Sequence, residues 1–116
     1  VSAFGDHRAD IAGKLTAAGV PGVTLNPSAL PPFVLVGLVQ LSEAQGVGGW
    51  AGTMPVTAVA PPPGDAAAAA ALEDTAELVL RTLGFAPLVP DTYDAAGKSV
   101  PAYVLTYPVS ITNPDC

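Results

Sequence analysis

The residue types that carry most enzyme chemistry are scarce in this sequence, and their spacing suits little of it. The single histidine, His7, has Ser2, Asp6 and Asp10 as its acidic and hydroxyl neighbours. A Ser-His-Asp relay needs three groups that converge in space beside an oxyanion hole, which neighbours on one helix start do not supply. His7 therefore reads as a partly exposed helix-start residue. Glu73, Asp74 and Glu77 offer carboxylates that a divalent ion accepts in principle, but acidic residues so spaced on a helix read as a solvated face. Gly46-Val47-Gly48-Gly49 lacks the following helix and lysine of a phosphate-binding loop. The one cysteine, Cys116, allows neither an intrachain disulfide nor a cysteine-based zinc site. The expectation is a chain that is not an enzyme, with no catalytic residue, no metal and no cofactor.

What remains is apolar contact chemistry. Trp50 follows the glycine-rich stretch and reads either as a core pillar or as a contact for a partner. Leu41 and Val47, at the margins of the loop that holds this stretch, are harder to place in a core. Six consecutive alanines, Ala66 to Ala71, combine the best helix propensity with the smallest side chain. Ala68 and Ala69 in that run are candidates for a face packed closely against a neighbouring subunit.

Composition points the same way. The chain has 116 residues, one domain's worth, with 50% hydrophobic and 12% charged residues. An isolated domain of this size usually carries about a quarter charged residues, so a surface partly covered by neighbours is expected. Gly and Pro contribute 12 and 13 residues, which divides the core with many irregular connections. Four basic against ten acidic side chains give a net charge of −6. That balance lacks the basic footprint of a nucleic-acid binder. No apolar run approaches the ~20 residues of a membrane span, and VSAFGDHRAD lacks the features of a signal peptide, so a soluble protein made in a cytoplasm is expected.

The elements that would position these residues follow from periodicity and punctuation. Phe4, His7 or Arg8, Ile11 and Leu15 recur at helical spacing, and Gly19 before Val20-Pro21 ends that helix, placed at about 5–18. Residues 19–32 read as an extended connector with Leu25 as an anchor. Phe33 to Val39 is a nearly continuous apolar run, the pattern of a central strand. Ser42 to Gly49 reads as a mobile hairpin loop, followed by a strand from Trp50 to about Ala60 with a bulge or an edge at Pro55. Pro61-Pro62-Pro63-Gly64 forms an elbow to Asp65, an N-cap for a helix over 66–83. Gly84 stops it, and Phe85 is expected to fold back onto Leu80. Strands near Val89–Tyr93 and Pro101–Thr112, joined by a turn at 94–98, complete the chain. Pro108 predicts that the distal part of the last strand leaves the sheet centre or lies at an edge. The predicted fold is α+β: one domain over residues 1–116, order α-β-β-α-β-β, both helices on one side of a mainly antiparallel sheet.

Several segments taken together resemble the tail terminator proteins of long-tailed actinobacterial phages. They are the opening SAFGDHRADIAGKLTAAGVPGVTLNPSALPPFVLVG, the Gly-Gly-Trp strand start with VTAVAPPPGDAAAAAALED after it, the helix end RTLGFAP and the closing PAYVLTYPVSITNPDC. The likeness covers nearly the whole chain in segment order and style, and no functional residue carries over singly. It implies a structural virion protein: a hexameric ring that caps the completed tail tube, ends tube polymerisation and meets a head-neck connector. It also implies assembly in the host cytoplasm and a final place at the head-proximal end of the tail. Related neck and minor tail proteins share parts of the pattern. A ring of six would carry about −36 formal charges in all, giving a negative potential near a channel that DNA traverses without binding. Glu43 and Asp94 are the candidates to face that lumen, with Arg8, Arg81 and Lys98 turned toward protein contacts or the outside. A small ligand-binding regulatory domain would share the acidic α+β composition, but should show convergent polar groups at a pocket.

Overall fold

A computed structural model describes residues 3–25, 32–44, 49–60, 65–95 and 98–112. Helix α1 (Ala3–Ala17) is followed by β1 (Val23–Thr24), β2 (Phe33–Val36), β3 (Gln40–Ala44) and β4 (Gly49–Val59); then come α2 (Ala66–Leu83), β5 (Leu88–Ala95) and β6 (Lys98–Thr112). The fold is α+β, with two helices and one mixed sheet of six strands. The order is α-β-β-β-β-α-β-β rather than the expected α-β-β-α-β-β. The two added strands are β1, inside the predicted connector, and β3, which starts at Gln40, just after the predicted strand, and takes in Ser42–Ala44 of the predicted loop. Across the sheet the strands run β1-β2-β4-β6-β5, with β3 also beside β4, and only the β1–β2 pair is parallel.

The spine is the antiparallel ladder in which Gly49–Val59 pairs without a break with Thr112–Ala102. On its other side β4 takes two partners in succession, β2 opposite Val56–Val59 and β3 opposite Trp50–Thr53. The predicted strand Phe33–Val39 thus splits at Gly37, and its continuation, β3, carries a further register shift between Leu41 and Glu43. The hairpin is the expected one. Its first arm is longer, because the ladder offered by Gly49–Thr53 outweighs the weak strand propensity of Gln40-Leu41-Ser42-Glu43. Gly52 makes that approach possible: a Cβ there would lie 2.7 Å from Leu41 Cα and closer still to the Gln40 carbonyl oxygen.

Prolines in strands are tolerated where no ladder hydrogen bond is lost. Pro55 produces neither a bulge nor an edge in β4. It sits where the neighbour changes from β2 to β3, and its carbonyl still accepts from Gly37 N–H at 2.8 Å. Pro108 stays within β6 opposite Thr53, with its nitrogen on the β5 side, beyond the start of β5. Pro90 turns its nitrogen outward, since Thr106 N–H donates to Pro87 and the pattern alternates along β5. The turn predicted at 94–98 is shorter than expected, because Asp94 and Ala95 pair with Ser99 and Lys98.

One face of the sheet, with Val34, Val36, Met54, Val56, Ala58, Leu105, Tyr107 and Val109, forms a single buried cluster with Leu15 of α1 and Ala68, Leu72 and Val79 of α2. Both helices therefore lie on that face. On the other face Phe33, Val59, Val100 and Ala102 form a smaller cluster. There the Phe33 and Tyr93 rings meet edge to face with centroids 5.1 Å apart. Their strands stand three spacings apart, about 14 Å on a flat sheet, and the two rings close that gap in one cluster with Val59 and the small Ala102.

The helix ends show how far local signals reach. At the end of α1, Val20 N–H donates to Leu15 O and Gly19 N–H to Thr16 O, with Gly19 at φ 91°. This is a Schellman cap, closed by contact of buried Val20 and Leu15. Asp65 caps α2 by accepting from Ala68 N–H at 2.9 Å, and Arg81 pairs with Glu77 on its exposed side. At the far end Gly84 donates to Leu80 O, but the predicted fold-back of Phe85 does not occur. Phe85 is 91% exposed, and Ala86, one residue on, is the residue that turns inward. Arg8 ties α1 to the sheet through the carbonyls of Val36 and Leu25, at 2.9 and 3.3 Å. Leu25, predicted as an anchor, is itself exposed.

Replacing Gly52 by alanine should push β3 off β4 and cost about 1–3 kcal/mol. Thermal melting together with amide exchange across 40–44 measures this; unchanged melting and protection would show that β3 does not press on this position.

Candidate functional site

The chemically capable residues stay apart. His7 is half-buried on α1, and Asp10 on the same helix pairs with Lys14 at 3.3 Å, in solvent. Ser2, Val47, the 61–64 elbow and Cys116 lie outside the described residues, as do the side chains of Phe4, Glu43 and Lys98. Glu73, Asp74 and Glu77 lie exposed along α2, with the Glu77 carboxylate engaged by Arg81. Among the described residues no group of three or more His, Cys, Asp or Glu gathers as a metal site would require.

The concave places are small or shallow. A cleft of about 70 Å³ is bounded by Pro21, Phe33, Val34, Val59 and Thr75. The Thr75 hydroxyl already donates to Ala71 O of its own helix. An open groove of about 230 Å³ runs between α2 and β5, with Ala76, Leu80, Leu88 and Tyr103 along it and Glu73 and Glu77 at its rim. A third, open hollow of about 410 Å³ beside Leu78 has Asp74, Glu77 and Arg81 around it, with Glu77 and Arg81 already paired to each other, so none of the three brings several free polar groups to one point, as recognition of a small polar ligand would need.

The residues singled out as contact candidates fall in different places. Leu41 lies exposed on β3, and Trp50 is half-buried at the start of β4, packed against the main core. Ala68 is buried in the chain's own core and Ala69 is half-buried, while Ala66, Ala67, Ala70 and Ala71 carry the exposed side of the alanine run. Asp94 is exposed and accepts from the Ser99 hydroxyl at 2.5 Å. Glu43 and Asp94 are far apart: Glu43 joins β6 through Ala51 at Ser110, Asp94 joins it at Ser99. Eleven residues of one strand separate those points, about 36 Å.

Sequence reasoning missed the most exposed apolar side chains. Phe85 is 91%, Leu38 73% and Val89 55% exposed, with Leu88 and Leu41 beside them at lower values. They cluster at the two lateral edges of the sheet: Leu38 and Leu41 where β2 gives way to β3, Phe85, Leu88 and Val89 where α2 leads into β5. A signal was present in Gly84-Phe85-Ala86-Pro87-Leu88-Val89-Pro90, an uncharged run in which two prolines hold the chain extended and prevent it from closing over its own apolar residues.

Tyr107 joins this edge to the core. Its side chain is buried and its hydroxyl donates to Gly84 O at 3.0 Å, which pins the α2–β5 connection from which Phe85 projects. Burial raises the phenol above its ordinary pKa of 10.0. The stabilisation it brings is therefore complete below pH 10 and lost as pH rises through the higher folded-state value. Tyr107→Phe should cost about 0.5–1.5 kcal/mol at neutral pH and make stability less steeply dependent on pH above 10. Denaturant melts at pH 7 and pH 11 test both; an equal loss of stability at the two pH values would contradict this account.

Comparison with known protein families, with characterised proteins and with solved structures finds no match to this chain.

Proposed function

We propose that the protein is a structural subunit of a phage tail, of the terminator kind, whose copies form a ring that caps the tail tube, ends its growth and meets the neck of the head. The observation that carries this reading is the pair of apolar edges, Leu38 and Leu41 on one side of the sheet and Phe85, Leu88 and Val89 on the other. Large apolar side chains left in water at two separate places are a mark of contact with other proteins. Two different patches on one subunit allow head-to-tail contacts, the kind from which rings are built. The segment resemblance supplies the tail tube and the connector as the ring's neighbours.

Charge placement supports the same reading. Six of the ten acidic residues lie on the helices or cap one of them: Asp6, Asp10, Asp65, Glu73, Asp74 and Glu77. Three of the four basic residues, Arg8, Lys14 and Arg81, lie there too, so the helix layer and the rest of the chain each carry a net charge of −3, and duplex DNA that passes near either is repelled rather than held. Arg8, the basic residue most engaged with its own fold, spends its guanidinium on backbone carbonyls.

Added to tail-tube protein of the same phage during polymerisation, the purified protein should arrest elongation and appear in electron micrographs as a ring on one tube end. Tubes that grow to the same length with and without it would contradict the proposal. Duplex DNA should show no salt-dependent retention by the free protein.

A further inference from the structure

The two apolar edges stand at the two ends of one continuous row of residues across the sheet. Gly37 N–H donates to Pro55 O at 2.8 Å, Pro55 lies opposite Thr106, and Thr106 N–H donates to Pro87 O at 3.2 Å. Leu38 follows Gly37 at one end; Phe85, Leu88 and Val89 flank Pro87 at the other. The exposed patches are therefore level with each other along the strand direction, about three strand spacings apart.

The geometry points to a direct contact between these two patches, the Phe85–Val89 edge of one copy seated on the Leu38–Leu41 edge of the next. It rests on the self-assembly in the proposed function and adds which surfaces meet. Charge identifies the occupant. Each chain carries −6, so most faces of two copies repel, whereas residues 36–42 and 84–90 contain no charged side chain. The two stretches themselves bring no like charges together, the nearest acidic groups being Glu73 and Glu77 across the groove from Leu88 and Asp91 beside Pro90. Because the patches are level, each added copy lies beside the last with no step along the strands built into the contact. That suits closure into a ring over growth into a filament.

The contact is made by side chains rather than by strand addition. On the outer rim of β5, Pro90 has no N–H to offer, and Thr92 N–H is taken by Asp91 Oδ1 at 2.8 Å. An edge so blocked resists pairing with a further strand. Phe85 and Leu38, the most exposed apolar side chains of the two edges, become the anchors.

The test uses two variants, each with one edge spoiled. Phe85→Glu keeps the Leu38 edge, Leu38→Glu keeps the Phe85 edge, and both substitutions fall on exposed side chains. Each variant alone should remain at the 11.5 kDa of a single chain in light scattering. An equimolar mixture should give a species of twice that mass and nothing larger, because only one good contact remains possible. Phe85→Ser and Leu38→Ser, with far-ultraviolet dichroism to confirm folding, provide the same comparison without the added charge. If wild-type protein assembles and either variant alone assembles equally well, this contact is wrong while the ring reading stands. Wild-type protein that stays monomeric at every concentration overturns both.

Discussion

Everything in this molecule is hung on the ladder between β4 and β6. It binds the two longest strands over the whole length of β4. Every other strand is attached to one side of it: β2, with β1 beyond it, and β3 to β4, and β5 to β6. Both helices pack on residues that these two strands alternate to one face, Met54, Val56 and Ala58 with Leu105, Tyr107 and Val109. Prolines inside such a ladder are tolerated only because Pro55 and Pro108 fall where a neighbouring strand has ended, so little hydrogen bonding is forfeited. The ladder also sets the position of the two apolar edges, since the row from Gly37 to Pro87 passes through Pro55 and Thr106.

The same arrangement explains why the chain keeps few charges. Strand pairing and a core of valine, leucine and alanine hold the monomer, and the ion pairs Asp10–Lys14 and Glu77–Arg81 lie on exposed helix surfaces, where their contribution is small. The charged groups can then stay in solvent, while the stretches 36–42 and 84–90 at the lateral edges carry none.

Local sequence signals identified the elements that close on themselves. Helix α2 was legible to the residue, from the Asp65 cap through the Leu72, Ala76, Val79 stripe to Gly84. The end of α1 was legible too, because Gly19 and Val20 complete a cap within six residues. Signals failed where distant pairing decides. Strand β3 is polar and short, and exists because β4 presents a ladder and Gly52 presents bare backbone. The similar strings Gly19-Val20-Pro21 and Gly84-Phe85-Ala86-Pro87 diverge for a tertiary reason: the second is drawn directly into β5, with Tyr107 holding Gly84, and the large ring is left outside. That one departure from the local rule produced the most exposed aromatic side chain in the described structure, and the contact candidates read from sequence, Leu41, Val47, Trp50, Ala68 and Ala69, did not include it, although Leu41 falls on the opposite edge.

The central claim is that this chain is a self-associating building block whose edges are meant to be covered. Sedimentation velocity of the wild-type protein over a wide concentration range tests it most directly. The account predicts a closed species at a fixed multiple of 11.5 kDa that grows at the expense of monomer as concentration rises and then stops growing. A single monomeric boundary across the whole range would contradict it.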